Sequence, residues 1–222
     1  IRHANDRKHM TQRQQLPALV SVRNLSQVYS HRKILKSVSF DLYRSEIVVL
    51  QGPNGAGKTT LFKVLCGLLK KISGDITLSS GFLGTGLYLP DSFLYEDLSI
   101  RENLNLYALV LGCPPNKQQD LVQQFDITDF YDQRVRFLSR GQRVRGALCR
   151  AFLLNADLFV LDEPFSGLDA VSIRKLLEAL TAFRAQGKTI LLSTHSVEDI
   201  GPITDRWMEI NKGRLRVLSE QS

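Results

Sequence analysis

The chain has no uninterrupted apolar run of membrane-spanning length; its longest apolar stretches are cut by Asn155, Asp157 and Asp162 within a few residues of one another. That excludes a chain that crosses a bilayer on its own helices. Cysteine is scarce and odd in number. Cys66, Cys113 and Cys149 lie far apart, which argues against a disulfide framework and fits reduced thiols in a cytosolic protein. The basic, polar N-terminus has no apolar segment behind it, so no secretory signal is expected. Met10 is a candidate start, with the preceding nine residues a leader or expression remnant, and residues 1–16 lack apolar periodicity and are expected to form a flexible segment. There is no internal repeat and no low-complexity segment. Aromatic residues are not interleaved with the basic ones, so stacking on single-stranded nucleic acid is unsupported.

What is present suits one large domain, or one domain with a subdomain: 222 residues, 43% of them hydrophobic. The net charge is +7. It collects in the first 36 positions and around Arg134, Arg136, Arg140, Arg143, Arg145 and Arg150. Nucleic acid, an anionic membrane surface, an acidic partner and solvated helix faces are all readings of that charge.

The chain is organised around residues 47–69. Ile47–Leu50 is β-branched, apolar and followed by glycine, and reads as a buried strand. Gly52-Pro53-Asn54-Gly55-Ala56-Gly57-Lys58-Thr59-Thr60 then fits the G-x-x-x-x-G-K-[ST] phosphate loop at every fixed position. Phosphate oxygens need close, convergent donors, and a backbone without Cβ atoms can curl around them with its N–H groups inward. The helix that follows, expected over 58–69 and closing near Gly67, adds unpaired N–H groups and the positive end of its dipole. Lys58 is expected to reach the β- and γ-phosphates, and the Thr59 hydroxyl to ligate Mg²⁺.

Period-two alternation from Pro17 to Arg44 predicts antiparallel strands that turn near residues 30–33. Short strands are expected at 75–78 and 86–89. Residues 98–155 read as helical: Ser99 caps an acidic first turn, and Pro114-Pro115 breaks the chain before a second helix. Ser139 is a plausible N-cap for a helix whose Val144, Ala147, Leu148, Ala151 and Phe152 form an apolar stripe. Asp157–Glu163 is an apolar strand ending in two carboxylates, suited to a metal–nucleotide site at the C-terminal edge of a sheet. A helix at 171–185, a strand at 189–193 with His195 just past it, and a hairpin turning at residues 211–213 complete the pattern.

These pieces, in this order, resemble the ATP-binding cassette (ABC) ATPases over nearly all of residues 18–218. The phosphate loop admits many enzymes. Leu138-Ser139-x-Gly141-Gln142 is the family's signature and is far more specific, and Glu163 beside Asp162, the Ser166-Gly167-Leu168-Asp169 turn and His195 complete the set. The resemblance implies an α/β fold: a P-loop core of mostly parallel sheet, an N-terminal antiparallel β-subdomain, and an inserted α-helical subdomain at about 92–155, all within a single domain over 17–222. It implies that Tyr29 stacks adenine, that Asp162 holds Mg²⁺ through water and orients Thr59, and that Glu163 positions or deprotonates the attacking water. His195 would hydrogen-bond the γ-phosphate. Ser139, Gly141 and Gln142 would bind the γ-phosphate of ATP held by a second protomer and Asp169 would link the two halves, giving a head-to-tail dimer that encloses two ATP molecules.

Two positions depart from the family pattern. The glutamine usual after the strand at 86–89 is missing from Leu89-Pro90-Asp91-Ser92-Phe93-Leu94-Tyr95, so Asp91, as a metal ligand, or Ser92 is expected to stand in. Arg140 replaces the commonest glycine of the signature and is expected to add a phosphate contact. The implied function is the ATPase subunit of an ABC transporter at the cytoplasmic face of the membrane, with membrane-spanning subunits as separate chains engaged around Tyr95, Glu96 and Asp97. The compact chain suggests an exporter, with haem export for cytochrome c maturation as one candidate, and no nucleic acid partner is expected. The alternative is a soluble cassette ATPase of iron–sulfur or other macromolecular assembly. Intact Lys58, Asp162 and Glu163 disfavour a non-catalytic module.

Overall fold

A computed structural model of the chain describes residues 17–29, 31–90, 94–195 and 197–218. Its centre is a six-stranded sheet in the order β5(Thr85–Tyr88), β6(Leu158–Asp162), β7(Thr189–Ser193), β3(Ile47–Gln51), β8(Arg206–Asn211), β9(Arg214–Leu218). The first five strands are parallel and β9 returns antiparallel on β8. Parallel strands need both faces covered, which is why β6 and β7 are buried along their whole length.

Alternation within each strand divides the core. Ile47, Val49, Phe159, Leu161, Ile190 and Leu192 face a cluster shared with the helices that follow β5. Val48, Leu50, Leu158, Val160, Leu191, Met208 and Ile210 face the opposite cluster, shared with helix α1(Lys58–Leu65) and the N-terminal strands. Those strands, β1(Val20–Tyr29), β2(Arg32–Leu42) and β4(Ser73–Leu78), form a separate antiparallel sheet in the order β2-β1-β4. The predicted turn near residues 30–33 joins β1 to β2, with Tyr29 opposite Arg32.

The expected helical region contains α2(Ile100–Leu111), α3(Pro115–Gln124) and α4(Arg140–Leu153), with two short 3₁₀ turns between α3 and α4. Ser99 and Glu102 form a capping box that starts α2, Gly112 in the left-handed conformation (φ 62°) ends it, and Pro115 occupies the first turn of α3. This region is not a detached lobe. Phe152 of α4 stacks between Phe159 of β6 and Phe183 of α5(Ala170–Ala185), 4.1 Å from each ring centroid. α1 closes at Gly67 (φ 72°) and the C-terminal hairpin turns on Lys212-Gly213, both with φ > 0 as a type I′ turn requires. Among the described residues no helix is long and apolar enough to cross a membrane.

Candidate active site

β3 and α1 deliver the phosphate loop, and their packing explains its glycines. A Cβ on Gly52 (φ 149°) would lie 2.1 Å from the carbonyl oxygen of Ile210, and one on Gly57 (φ 115°) would meet Leu35 Cδ2 at 3.0 Å. The loop therefore threads between β2 and β8 with its backbone, and only glycine fits at 52. Gly57 is also the N-cap of α1. It offers no side-chain cap, and the first turn holds no acid. Because the first helical bond runs from the N–H of Leu61 to the Gly57 carbonyl at 2.9 Å, the amides before it have no helix carbonyl to bond. An anion fits that place. Lys58, only 8% exposed, folds back and donates from Nζ to the Gly52 carbonyl at 2.6 Å.

The acid pair comes from the next strand but one. β6 and β7 run in register, with Asp162 beside Ser193. Asp162 Oδ1 accepts from Ser193 Oγ at 2.5 Å, and Oδ2 accepts from Thr59 Oγ1 at 2.5 Å. The chain then leaves the sheet abruptly: Glu163 has φ 51°, a conformation costly for a residue with a Cβ. Its N–H is held by Ser193, through the carbonyl at 3.1 Å and Oγ at 3.0 Å. The turn aims the Glu163 carboxylate at the loop. Oε2 accepts from the His195 N–H at 3.2 Å. Oε1 lies 3.2 Å from His195 Nε2 yet receives no hydrogen bond among the described residues. A buried carboxylate oxygen without a donor is costly unless a ligand or water completes it.

Asn54, Lys58, Thr59, Asp162, Glu163 and His195 thus line one cleft of about 540 Å³. A hydroxyl already bonded to a carboxylate, with phosphate oxygens to come, is the hard oxygen set that Mg²⁺ prefers. Among the described residues no group of three or more His, Cys, Asp or Glu could hold a metal alone.

Pro53, Gly55, Gly57 and Thr60 of the loop line the cleft too, whereas Tyr29, Ser139, Gly141, Gln142 and Asp169 do not. Tyr29 is 70% exposed at the end of β1, on the same hairpin as Ile34, which does line it. Ser139 and Gln142 bond to each other's backbone in a capping box at the start of α4: Ser139 Oγ accepts from the Gln142 N–H at 3.3 Å, and Gln142 Oε1 from the Ser139 N–H at 2.9 Å. Gly141 follows on the first turn, against Leu168. Asp169 caps α5, accepting from the Ser172 N–H at 2.7 Å, and that bond holds its carboxyl below the usual aspartate range. Arg140 bonds to Ser166. Asp91 and Ser92 lie outside the described residues. Sequence reasoning missed Ser193, which orients both acids. Its signal was available: a hydroxyl ending an apolar strand beside the strand that ends in the acids.

A glycine-rich loop between a central strand and a helix, faced by an acid pair on a neighbouring parallel strand, defines a P-loop nucleoside triphosphatase. The sequence profile of the ABC transporter family matches residues 35–166. An uncharacterized ABC transporter ATP-binding protein of Methanocaldococcus jannaschii is 32% identical over 203 residues, covering 88% of this chain and 75% of the relative. The lipopolysaccharide export system ATP-binding protein LptB of Haemophilus influenzae is 30% identical over 216 residues, covering 89% of each. In fold, the chain matches a dimeric ATP-binding cassette bound to ADP and Pi in a post-hydrolysis state, with TM-score 0.82 at 20% identity, covering 91% of this chain and 99% of that one. The chain belongs to the ABC transporter family; it is an ATP-binding cassette that hydrolyses ATP.

Proposed function

We propose that this cassette works as a head-to-tail dimer that closes on two ATP molecules and powers an exporter built from separate membrane subunits. The observation that carries the reading is the Glu163 carboxylate, turned by a left-handed backbone into the phosphate-loop cleft, where Oε1 lies 3.2 Å from His195 Nε2. Glu163 would orient and deprotonate the water that attacks the γ-phosphate. Lys58 would leave the Gly52 carbonyl for the β- and γ-phosphates, and His195 would hydrogen-bond the γ-phosphate. Tyr29 would stack on the adenine. Thr59 and Asp162, already bonded to each other, would hold Mg²⁺, with Asp91 as an added ligand. Bound there, Mg²⁺ neutralises charge on the phosphate oxygens.

The exposed first turn of α4 would offer Ser139, Gly141 and Gln142 to the partner's nucleotide, and Asp169 would meet the partner at the same seam. That a cassette of the same fold is dimeric supports a dimer. We read residues 17–222 as one cassette domain with its helical subdomain at about 92–155. A groove of about 680 Å³, lined by Tyr88, Leu94, Glu96 and Val135, adjoins the cleft and shares Pro90, Glu163 and Ser166 with it. Together with the exposed Tyr95, it would receive the membrane subunits at the cytoplasmic face. The export direction is supported by the likeness to LptB. The haem-export assignment rests on the altered 86–92 stretch of the sequence alone. Tagging the chain in its native membranes and identifying the polytopic subunits that co-purify decides it.

The activity test is Glu163→Gln. Turnover is expected to fall at least about a hundredfold, the usual span for losing a general base, while fluorescent-ATP binding persists. Wild-type turnover in this variant would remove Glu163 from the mechanism.

A further inference from the structure

Arg140 is the first helical residue of α4, whose first turn contains no acid to balance it. A cation there opposes the positive end of the helix dipole. The side chain nonetheless adopts one definite course, away from its own helix and over the turn that follows β6. Nη2 donates to Ser166 Oγ at 2.8 Å. The stem fills the space above Gly167: a Cβ at that position would lie 2.5 Å from Arg140 Cδ and Nε and 3.1 Å from Cγ. Gly167 itself has φ 80°, and that backbone conformation favours glycine at 167. Alongside, a Cβ on Gly141 would stand 3.7 Å from Leu168 Cδ2 and 3.8 Å from the Gly167 carbonyl oxygen. The first turn of α4 therefore rests directly on residues 166–168.

The turn leads back to the cleft. The Ser166 N–H donates to the Glu163 carbonyl at 3.1 Å, and Glu163 is the residue held in the left-handed conformation. It also leads forward, since Asp169 caps α5. Arg140 thus bonds to the residue whose amide pins the backbone of Glu163, while its neighbours Ser139, Gly141 and Gln142 occupy the exposed helix end. One side chain spans the two regions that, in a head-to-tail dimer, serve different ATP molecules.

We propose that Arg140 is a positioning residue: by tying the first turn of α4 to Ser166, it relays engagement of the partner's nucleotide at Ser139, Gly141 and Gln142 to the backbone that aims Glu163 at this protomer's own nucleotide. The inference rests on the head-to-tail reading given above. It differs from a direct phosphate contact by Arg140, because it requires Ser166 as acceptor and predicts that the two residues act as a unit.

The test is a double-mutant cycle in the purified full-length chain, with Arg140→Met, which keeps much of the stem and removes the donors, and Ser166→Ala, which removes the acceptor. Both residues are exposed, so neither change empties the core. Each single variant is expected to lower kcat about fivefold, the scale of one ordinary intramolecular hydrogen bond. KM for MgATP should stay within about twofold and the Hill coefficient should fall toward one, with the double variant no worse than either single. Placed in Glu163→Gln, which retains ATP, the same changes should leave MgATP-driven dimer formation intact by light scattering. Multiplying effects of the two changes would overturn the relay. So would an Arg140→Met that weakens dimer formation while Ser166→Ala is silent, since that identifies a phosphate contact. If Glu163→Gln alone stays monomeric at saturating MgATP, the shared premise of a dimer has failed, and the relay falls with it.

Discussion

At the scale of single residues, the phosphate loop is held by what its glycines leave out. Gly52 lets the backbone pass within contact distance of Ile210, where a methyl group would overlap the carbonyl oxygen at 2.1 Å. Gly52→Ala is therefore expected to lower stability by about 2–3 kcal/mol, from backbone strain and a displaced β8. Urea unfolding, read beside a fluorescent-ATP titration, checks it: the midpoint should fall and binding should weaken together. Glu163 shows the opposite device, a strained non-glycine backbone kept because Ser193 holds its amide from two oxygens. The phosphate loop and the two acids were legible in the sequence because a strand, a spacing and a residue type coincide. Ser193 was not. Its importance depends on β6 and β7 lying side by side in register, and their separation in sequence hides that.

At the scale of elements, α4 serves two purposes with one set of side chains. Ser139 and Gln142 satisfy the amides that every helix leaves open, and the same residues are proposed to meet the partner's phosphate. Ser139→Ala confounds the two roles, since losing the cap alone costs about 1 kcal/mol. Gln142→Glu separates them. Glutamate completes a capping box equally well and suits the positive end of the dipole, so the urea midpoint should hold or rise slightly. If Gln142 meets the partner's phosphate as proposed, turnover should nevertheless drop by roughly tenfold or more, because a carboxylate would then face phosphate at close range. Unchanged turnover would show that Gln142 is a cap and nothing else. The helix and its apolar stripe were readable from periodicity, but the box was legible only as a plausible N-cap.

At the scale of the whole molecule, the helical region is joined to the core by packing and by charge. Phe125, Phe152, Phe159 and Phe183 form one aromatic cluster across the end of α3, α4, β6 and α5. At the surface, Asp126 accepts from Arg145 of α4 at 3.1 Å and is paired with Lys175 of α5. The Lys175 hydrogen bond, aided by Arg145, holds the Asp126 carboxyl below its ordinary value. A lowered carboxyl contributes stability above its unfolded pKa and loses it as pH falls through the folded one. Asp126→Asn should thus cost about 0.5 kcal/mol at pH 7, a figure kept small because the group is half exposed. The difference from wild type should shrink at pH 3 and in 1 M salt, as urea midpoints would record. An equal cost under all three conditions would show that charge is not the cause.

The sequence by itself determined the chemistry of the nucleotide site: a loop that can wrap phosphate, a helix to follow it, acids at a strand end, and a signature stretch that marks the family. It also determined most element boundaries, because apolar period, proline, glycine and caps act within a few residues. Only the tertiary structure decided which strands are neighbours, and with that the roles of Ser193, of the Arg140–Ser166 tie and of the aromatic cluster beneath α4. The physical reason is range. Propensity, capping and periodicity are local, whereas close packing and sheet register bring together residues far apart in sequence, from Arg140 with Ser166, 26 positions apart, to Val48 with Arg206, 158 apart.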